Sequence, residues 1–231
     1  MAVMRDTGPM AVHEALAELT QRATTSGRTA FLGLVGPPGV GKSYAAARVV
    51  ETLQQAGLSA AVLPMDGFHL SNHQLDRLGL RARKGAPETF DVAGFVALLE
   101  RLAAGPSEAV YCPDYDRGLH EPIAGRLRIE ASTQVIVTEG NYLLLDGAWS
   151  AVRPLLDSSW YLEAPATLRE ARLIARHVRG RSSAEAHAWV RTVDEPNARL
   201  VATTRDRAHL IIDSRGLDDQ LARFSPESSP S

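Results

Sequence analysis

Phe31-Leu32-Gly33-Leu34-Val35-Gly36-Pro37-Pro38-Gly39-Val40-Gly41-Lys42-Ser43 is the stretch whose reading decides the fold. It opens with an apolar run of the kind found in a strand buried on both faces of a parallel sheet. The remainder, from Gly36 to Ser43, matches G-x-x-x-x-G-K-[S/T]. Glycines at those places let backbone N–H groups curl around phosphate oxygens without a Cβ in the way. The helix that follows turns its positive end toward the same oxygens. The pattern predicts that helix from Lys42 to Ala56, closed by Gly57. Gly36, Pro37, Pro38, Gly39, Val40 and Gly41, with Lys42, Ser43 and Tyr44 at the helix start, are therefore expected to hold a nucleoside triphosphate. In this arrangement Lys42 reaches the β- and γ-phosphates and the Ser43 hydroxyl ligates Mg²⁺.

Working outward, further apolar strands are expected at Ala60 to Met65, Gln134 to Thr138, Ser159 to Leu162 and His209 to Ile212. Helical spacing marks Met10 to Thr24, Val92 to Ala104 behind an Asp91 N-cap, Pro165 to Arg179, Ala184 to Val190 and Pro196 to Thr204. Strands alternating with helices predict an α/β fold with a parallel sheet sandwiched by helices. Ser71 to Ala86 reads as polar and irregular, and Val110 to His120 as mixed. Residues 66–130 are expected to form a small cap, residues 1–10 to be loose, and Ser225 to Ser231 to be a disordered tail. One domain over residues 1–224 is expected. Parallel sheets bind ligands beyond the carboxyl ends of their strands. Asp66-Gly67 and Glu139-Gly140 both stand at such ends. Asp66 is the candidate to orient an acceptor hydroxyl and take its proton, and Glu139 the candidate to help hold Mg²⁺ with Ser43.

The chain has 231 residues, 45% hydrophobic and 23% charged, with a net charge of −2. These values exclude wholesale disorder and give no sign of a dedicated nucleic-acid binder. No apolar run is long enough to span a bilayer, and a single cysteine, Cys112, fits a reducing compartment. A cytoplasmic protein without membrane partners is expected, with a homodimer as the base-rate assembly. Lys42 and Lys84 are the only lysines. Arg169, Arg172, Arg176 and Arg179 fall within about 80° of one another on a helical wheel. They form either a solvated face or a set of phosphate clamps.

Met65-Asp66-Gly67-Phe68-His69-Leu70, Asn72, Leu75, Gly79-Leu80 and Arg83 to Asp91 resemble type I pantothenate kinases. Val110-Tyr111 through Tyr115-Asp116 and His120, with Val137-Thr138-Glu139-Gly140, resemble the wider uridine kinase and phosphoribulokinase group. The resemblance covers residues 31–212 and is nearest to a bacterial branch described as nucleoside/nucleotide kinases or fructose-transport kinases. It implies a P-loop NTPase fold with ATP as donor, a substrate cap, and a helical lid over residues 165–190. It implies that Asp66 is the catalytic base and that Lys84 lies near the transferred phosphate or the acceptor. It also implies that Asp66, His69, Lys84, Tyr115, Asp116 and His120 line the acceptor pocket, and that Arg172 and Arg176 act from the lid. Asp194 and Asn197 either cap a helix or serve the nucleotide. Cys112-Pro113-Asp114 stands where pantothenate kinases carry a Ser-His pair, so the acceptor stays open among sugars, nucleosides and pantothenate-like alcohols.

A nucleoside monophosphate kinase is the nearest alternative, followed by a GTPase-type or ATPase switch. Asp91-Val92-Ala93-Gly94 matches D-x-x-G, but no strand precedes it and no guanine-reading Asn-Lys-x-Asp follows.

Overall fold

The structure, a computed structural model, describes Met4, Arg5 and Met10–Phe224. Its strands are β1 (Met4–Arg5), β2 (Ala30–Val35), β3 (Ala60–Pro64), β4 (Val110–Asp116), β5 (Glu121–Ile129), β6 (Val135–Gly140), β7 (Ser158–Glu163) and β8 (Leu210–Asp213). Its α-helices are α1 (Met10–Thr25), α2 (Lys42–Gln55), α3 (Asn72–Arg77), α4 (Val92–Ala103), α5 (Ala166–His177), α6 (Ser183–Trp189), α7 (Glu195–Ala202) and α8 (Leu217–Leu221). Six strands form one sheet in the order β1-β8-β7-β2-β6-β3, with every neighbouring pair parallel.

Side chains alternate across this sheet and build two cores. Ala30, Leu32 and Leu34 of β2 join Val135, Val137, Trp160, Leu162, Leu210 and Ile212 beneath α1, α2 and α8. Phe31 and Val35 join Ile136, Tyr161 and Ile211 on the other face, beneath Phe95 and Leu99 of α4 and Val201 of α7. Both faces are thus covered, as continuous apolar strands require.

The register levels the strand ends that matter. Leu34 lies opposite Glu139 and Trp160, and Pro64 also lies opposite Glu139. The glycine loop after β2, the Asp66 turn after β3 and Glu139 of β6 therefore emerge at one edge.

Several expectations change. Met4–Arg5, expected to be loose, pairs with Leu210 and Ile211 as an edge strand. Ser71 to Ala86 is not irregular: Ser71 caps α3 by accepting from the Gln74 N–H, and a 3₁₀ turn follows at Arg81–Arg83. The mixed stretch at Val110 to His120 is half of an antiparallel hairpin, β4 with β5, whose register shifts between Cys112 and Asp114. Only Val110, Cys112 and Ile129 of this hairpin are fully buried, so its sequence shows little alternation. The two helices expected at Ala184 to Val190 and Pro196 to Thr204 are joined without a break by a π-helical turn, Val190–Asp194. The Ser225 to Ser231 tail lies outside the described residues. No helix among the described residues is long and apolar enough to cross a membrane.

Candidate active site

The Gly36–Gly41 loop is shaped to wrap an anion. Gly39 adopts φ 79°, and a Cβ on it would stand 2.6 Å from the Arg169 carbonyl oxygen and 2.9 Å from Leu173 Cγ. Only glycine meets both demands. α2 begins at Lys42 with no side chain capping it. Its first N–H groups and its dipole thus point into the loop, where phosphate oxygens can take the place of a cap.

Lys42 folds back over this loop. Its Nζ donates to the Gly36 carbonyl at 2.9 Å, the Pro37 carbonyl at 3.3 Å and Asn141 Oδ1 at 2.6 Å. Burial lowers its pKa to about 8, against the opposing pull of Glu139 and Asp66. Ser43 Oγ donates to Glu139 Oε1 at 2.7 Å. Glu139 is 5% exposed, and burial, then the nearby Asp66 charge, pushes its carboxyl above the usual range. A hydroxyl on a buried carboxylate is a hard oxygen pair suited to Mg²⁺, and a cation there would relieve the crowding of Glu139 by Asp66.

Asp66 sits in a 3₁₀ turn, Met65–Phe68, directly after β3. The neighbouring Gly67 makes room for the hairpin: a Cβ on it would lie 2.4 Å from the Pro113 carbonyl oxygen. β4 thus packs directly on the turn that carries Asp66. Arg117, in the hairpin turn, places Nη2 3.7 Å from Asp66 Oδ2.

His69 Nδ1 lies 2.8 Å from the Asp66 carbonyl oxygen, which can only accept, so Nδ1 carries the proton. Burial lowers the His69 pKa, so the ring is neutral near pH 7. Its ring packs on Phe90 at 4.0 Å and on Tyr115 at 4.8 Å between centroids. Burial also pushes the Tyr115 hydroxyl up to about 12.

Other residues singled out in the sequence take structural partners. Lys84 Nζ donates to Asn72 Oδ1 at 2.7 Å and to the His120 carbonyl at 2.6 Å, with Glu121 at 3.9 Å and the Tyr115 ring 5.2 Å below. It pins the hairpin tip, where His120 holds an unusual φ of 55°, against α3. Asp116 accepts from the Gly118 and Leu119 N–H groups and from Arg126, closing the hairpin turn. The Tyr44 hydroxyl donates to Asp218 of α8 at 2.6 Å, so its side chain turns outward and only its backbone borders the loop. Asn197 donates to the Gly85 carbonyl at 3.2 Å, which ties α7 to the 84–90 segment.

The arginine face of α5 divides. Arg169 is buried and donates to the Pro38 carbonyl at 3.2 Å, with Glu195 at 3.3 Å. Arg172 donates to the Val40 carbonyl at 3.0 Å. Arg176 lies 4.0 Å from the buried Asp194, which also accepts from His177 Nε2 at 2.8 Å. Arg179, expected on the same helix, lies beyond its end at His177 and stays exposed. Asn141 and Arg117 were missed in the sequence. Asn141 follows Glu139-Gly140 at a strand end and carries the same positional signal. Arg117 has no local signal, because the hairpin register alone brings it to Asp66.

The model of the phosphoribulokinase / uridine kinase family matches residues 31–220. The chain belongs to this family. It is accordingly an ATP-dependent phosphotransferase built on the P-loop NTPase fold. Among curated relatives it is 37% identical over 190 residues to the protein YggC of Escherichia coli, covering 80% of this chain and 78% of that one. It is 31% identical over 137 residues to the pantothenate kinase of Mycolicibacterium vanbaalenii, covering 58% of this chain and 43% of that one. Among solved structures it resembles a "putative fructose transport system kinase" from Silicibacter sp. TM1040. That match has a TM-score of 0.77 and 38% identity, and covers 85% of this chain and 98% of that one. As a phosphoribulokinase/uridine kinase family member, the chain has a site that meets the needs of Mg·ATP at its donor side: a glycine cradle, an enclosed lysine, and a hydroxyl paired with a carboxylate.

Proposed function

We propose that this kinase moves the γ-phosphoryl group of ATP onto a hydroxyl of a small metabolite, with Asp66 as the base. The observation that carries this reading is the placement of Asp66 at the carboxyl end of β3, level with Glu139 and the glycine loop. The acceptor oxygen attacks γ-phosphorus and forms the new P–O bond. The bond between γ-phosphorus and the β–γ bridging oxygen breaks, and ADP leaves with that electron pair. The hydroxyl proton passes to an Asp66 carboxylate oxygen. An ordinary carboxylate suffices, because this chemistry depends mostly on positioning and charge.

Lys42 would hold the ATP phosphates, and Ser43 with Glu139 would hold a Mg²⁺ ion that offsets their charge. Arg172 and Arg176 approach from α5, which acts as the lid with α6. The 65–90 segment and the β4–β5 hairpin form the cap on the acceptor side, where His69, Tyr115 and His120 line the pocket. Lys84 sets the hairpin in place, and Asp116 keeps its turn closed. The acceptor is a sugar, a nucleoside or a pantothenate-like alcohol.

The test is ADP release at saturating Mg·ATP with pantothenate, fructose, uridine, cytidine, ribulose 5-phosphate, glycerate and nucleoside monophosphates. Release that depends on an alcohol acceptor supports the reading. Release only with a nucleoside monophosphate, or ATP binding without transfer to any of them, contradicts it.

A further inference from the structure

Arg117 of the hairpin turn pairs with Asp66, and Arg176 of α5 lies close enough to feel the charges of both. Among the described residues, neither guanidinium has a partner at hydrogen-bond distance: Arg117 makes a 3.7 Å ion pair with Asp66, and Arg176 a 4.0 Å pair with Asp194. Each carries five N–H donors in a planar fork. Desolvation of its half-exposed side chain, then the charge of Arg117, holds Arg176 below its ordinary range, so the two cations crowd one another. α5 serves the donor side, since Arg169 and Arg172 already hold loop carbonyls. On the reading above, the terminal phosphate of ATP accounts for Arg176. It leaves Arg117, which stands on the acceptor side next to Tyr115, without a counterpart.

Two other charged groups of that wall are engaged. Lys84 is held by Asn72 and the His120 carbonyl, and Asp116 by its turn and Arg126. The Tyr115 ring already packs on His69 and beneath Lys84, which leaves little aromatic surface for a base to stack on.

We propose that the acceptor is an anionic alcohol whose carboxylate or phosphate is gripped by Arg117 while its hydroxyl faces Asp66. The proposal rests on the kinase reading above. In the resting protein Arg117 leans on the carboxylate that must take the proton. A bound anion draws Arg117 away and leaves Asp66 to the hydroxyl. A neutral alcohol offers nothing to make that exchange.

The experiment compares matched pairs: glycerate with glycerol, and fructose 6-phosphate with fructose. ADP release is measured for the wild-type, Arg117→Ala and Arg117→Lys proteins. Thermal shift of the protein loaded with Mg·ADP is measured with the same compounds. An anionic member is expected to exceed its neutral partner about a hundredfold in kcat/KM. Arg117→Ala should raise the KM for that acceptor at least tenfold, with kcat and the KM for ATP changed less than threefold. Arg117→Lys should recover part of the loss, as a point charge without the fork.

Equal use of both members of a pair, or preference for the neutral one, overturns the proposal. So does an Arg117→Ala effect on kcat alone that is the same for every acceptor, which would assign Arg117 to the transferred phosphoryl group. If no compound accepts phosphate, the thermal shift separates the two ideas. Stabilisation by the anions that vanishes in Arg117→Ala keeps the anion site and counts against Asp66-directed transfer to these acceptors, whereas no such stabilisation removes the anion site as well.

Discussion

The two sides of the cleft are built differently. The donor side is one contiguous stretch, Gly36 to Ser43, in which backbone N–H groups and one lysine do most of the holding. The acceptor side is assembled from the turn after β3, the 84–90 segment and the β4–β5 hairpin, and its contacts are mostly between side chains. A triphosphate is the same ligand in every such enzyme, so a local backbone motif suffices for it. An acceptor differs from enzyme to enzyme, and side chains carried by separate segments can change without disturbing the sheet.

The largest expected effect lies on the donor side. Lys42→Ala removes the ammonium from the loop and should lower kcat/KM for ATP by about a thousandfold. Titration calorimetry should show the loss of Mg·ATP affinity as well. Loss of turnover with unchanged affinity would shift the weight of binding from the lysine to the backbone. The complementary variant on the acceptor side is Gly67→Ala. Its new Cβ would meet the Pro113 backbone, so the hairpin and the Asp66 turn must move apart. Chemical denaturation should show a loss of about 1–3 kcal/mol. Transfer should fall while Mg·ATP affinity holds, and an equal loss of both would mean that the two sides are not independent.

These expectations follow how far the sequence could be read. The glycine loop was legible because chemistry fixes residue types at fixed spacing. Asp66 and Glu139 were legible as strand ends, because short apolar runs mark where the sheet stops. The hairpin was not. β5 is exposed along Gly125, Arg126 and Arg128, so no buried face imposes a period of two. Arg117 was hidden with it. Lys84 drew attention by its rarity, yet its hydrogen bonds reach α3 and the hairpin tip, which lie far from it in the chain. The arginines at 169, 172, 176 and 179 looked alike on a helical wheel, but α5 ends at His177 and only packing against Pro38 and Glu195 separates the buried Arg169 from the exposed Arg179 beyond it.

A smaller effect follows from the pKa of Lys42, lowered to about 8 by burial. As pH rises through 8 the free protein loses the lysine charge, and the bound phosphates restore it. Binding of Mg·ATP should therefore weaken above pH 8. It should be accompanied by proton uptake in that range, measurable by calorimetry in buffers of different ionisation heat. No uptake would mean that the lysine is already charged in the empty loop. The smallest effect belongs to Tyr44→Phe. The hydroxyl it loses serves Asp218 at the exposed surface, so the melting temperature should barely change. The KM for ATP should stay within twofold, and a larger change would bring the Tyr44 side chain back to the nucleotide.

The division of labour across the cleft is tested most directly by Asp66→Asn, which keeps the shape of the turn and removes the base. Single-turnover transfer and Mg·ATP affinity would be measured on the same preparation, with an acceptor that the wild-type protein uses. The account predicts transfer slowed by about 10²–10⁴-fold, with Mg·ATP affinity unchanged within threefold. Transfer at a near wild-type rate would contradict it, because the proton of the acceptor would then be leaving by another route.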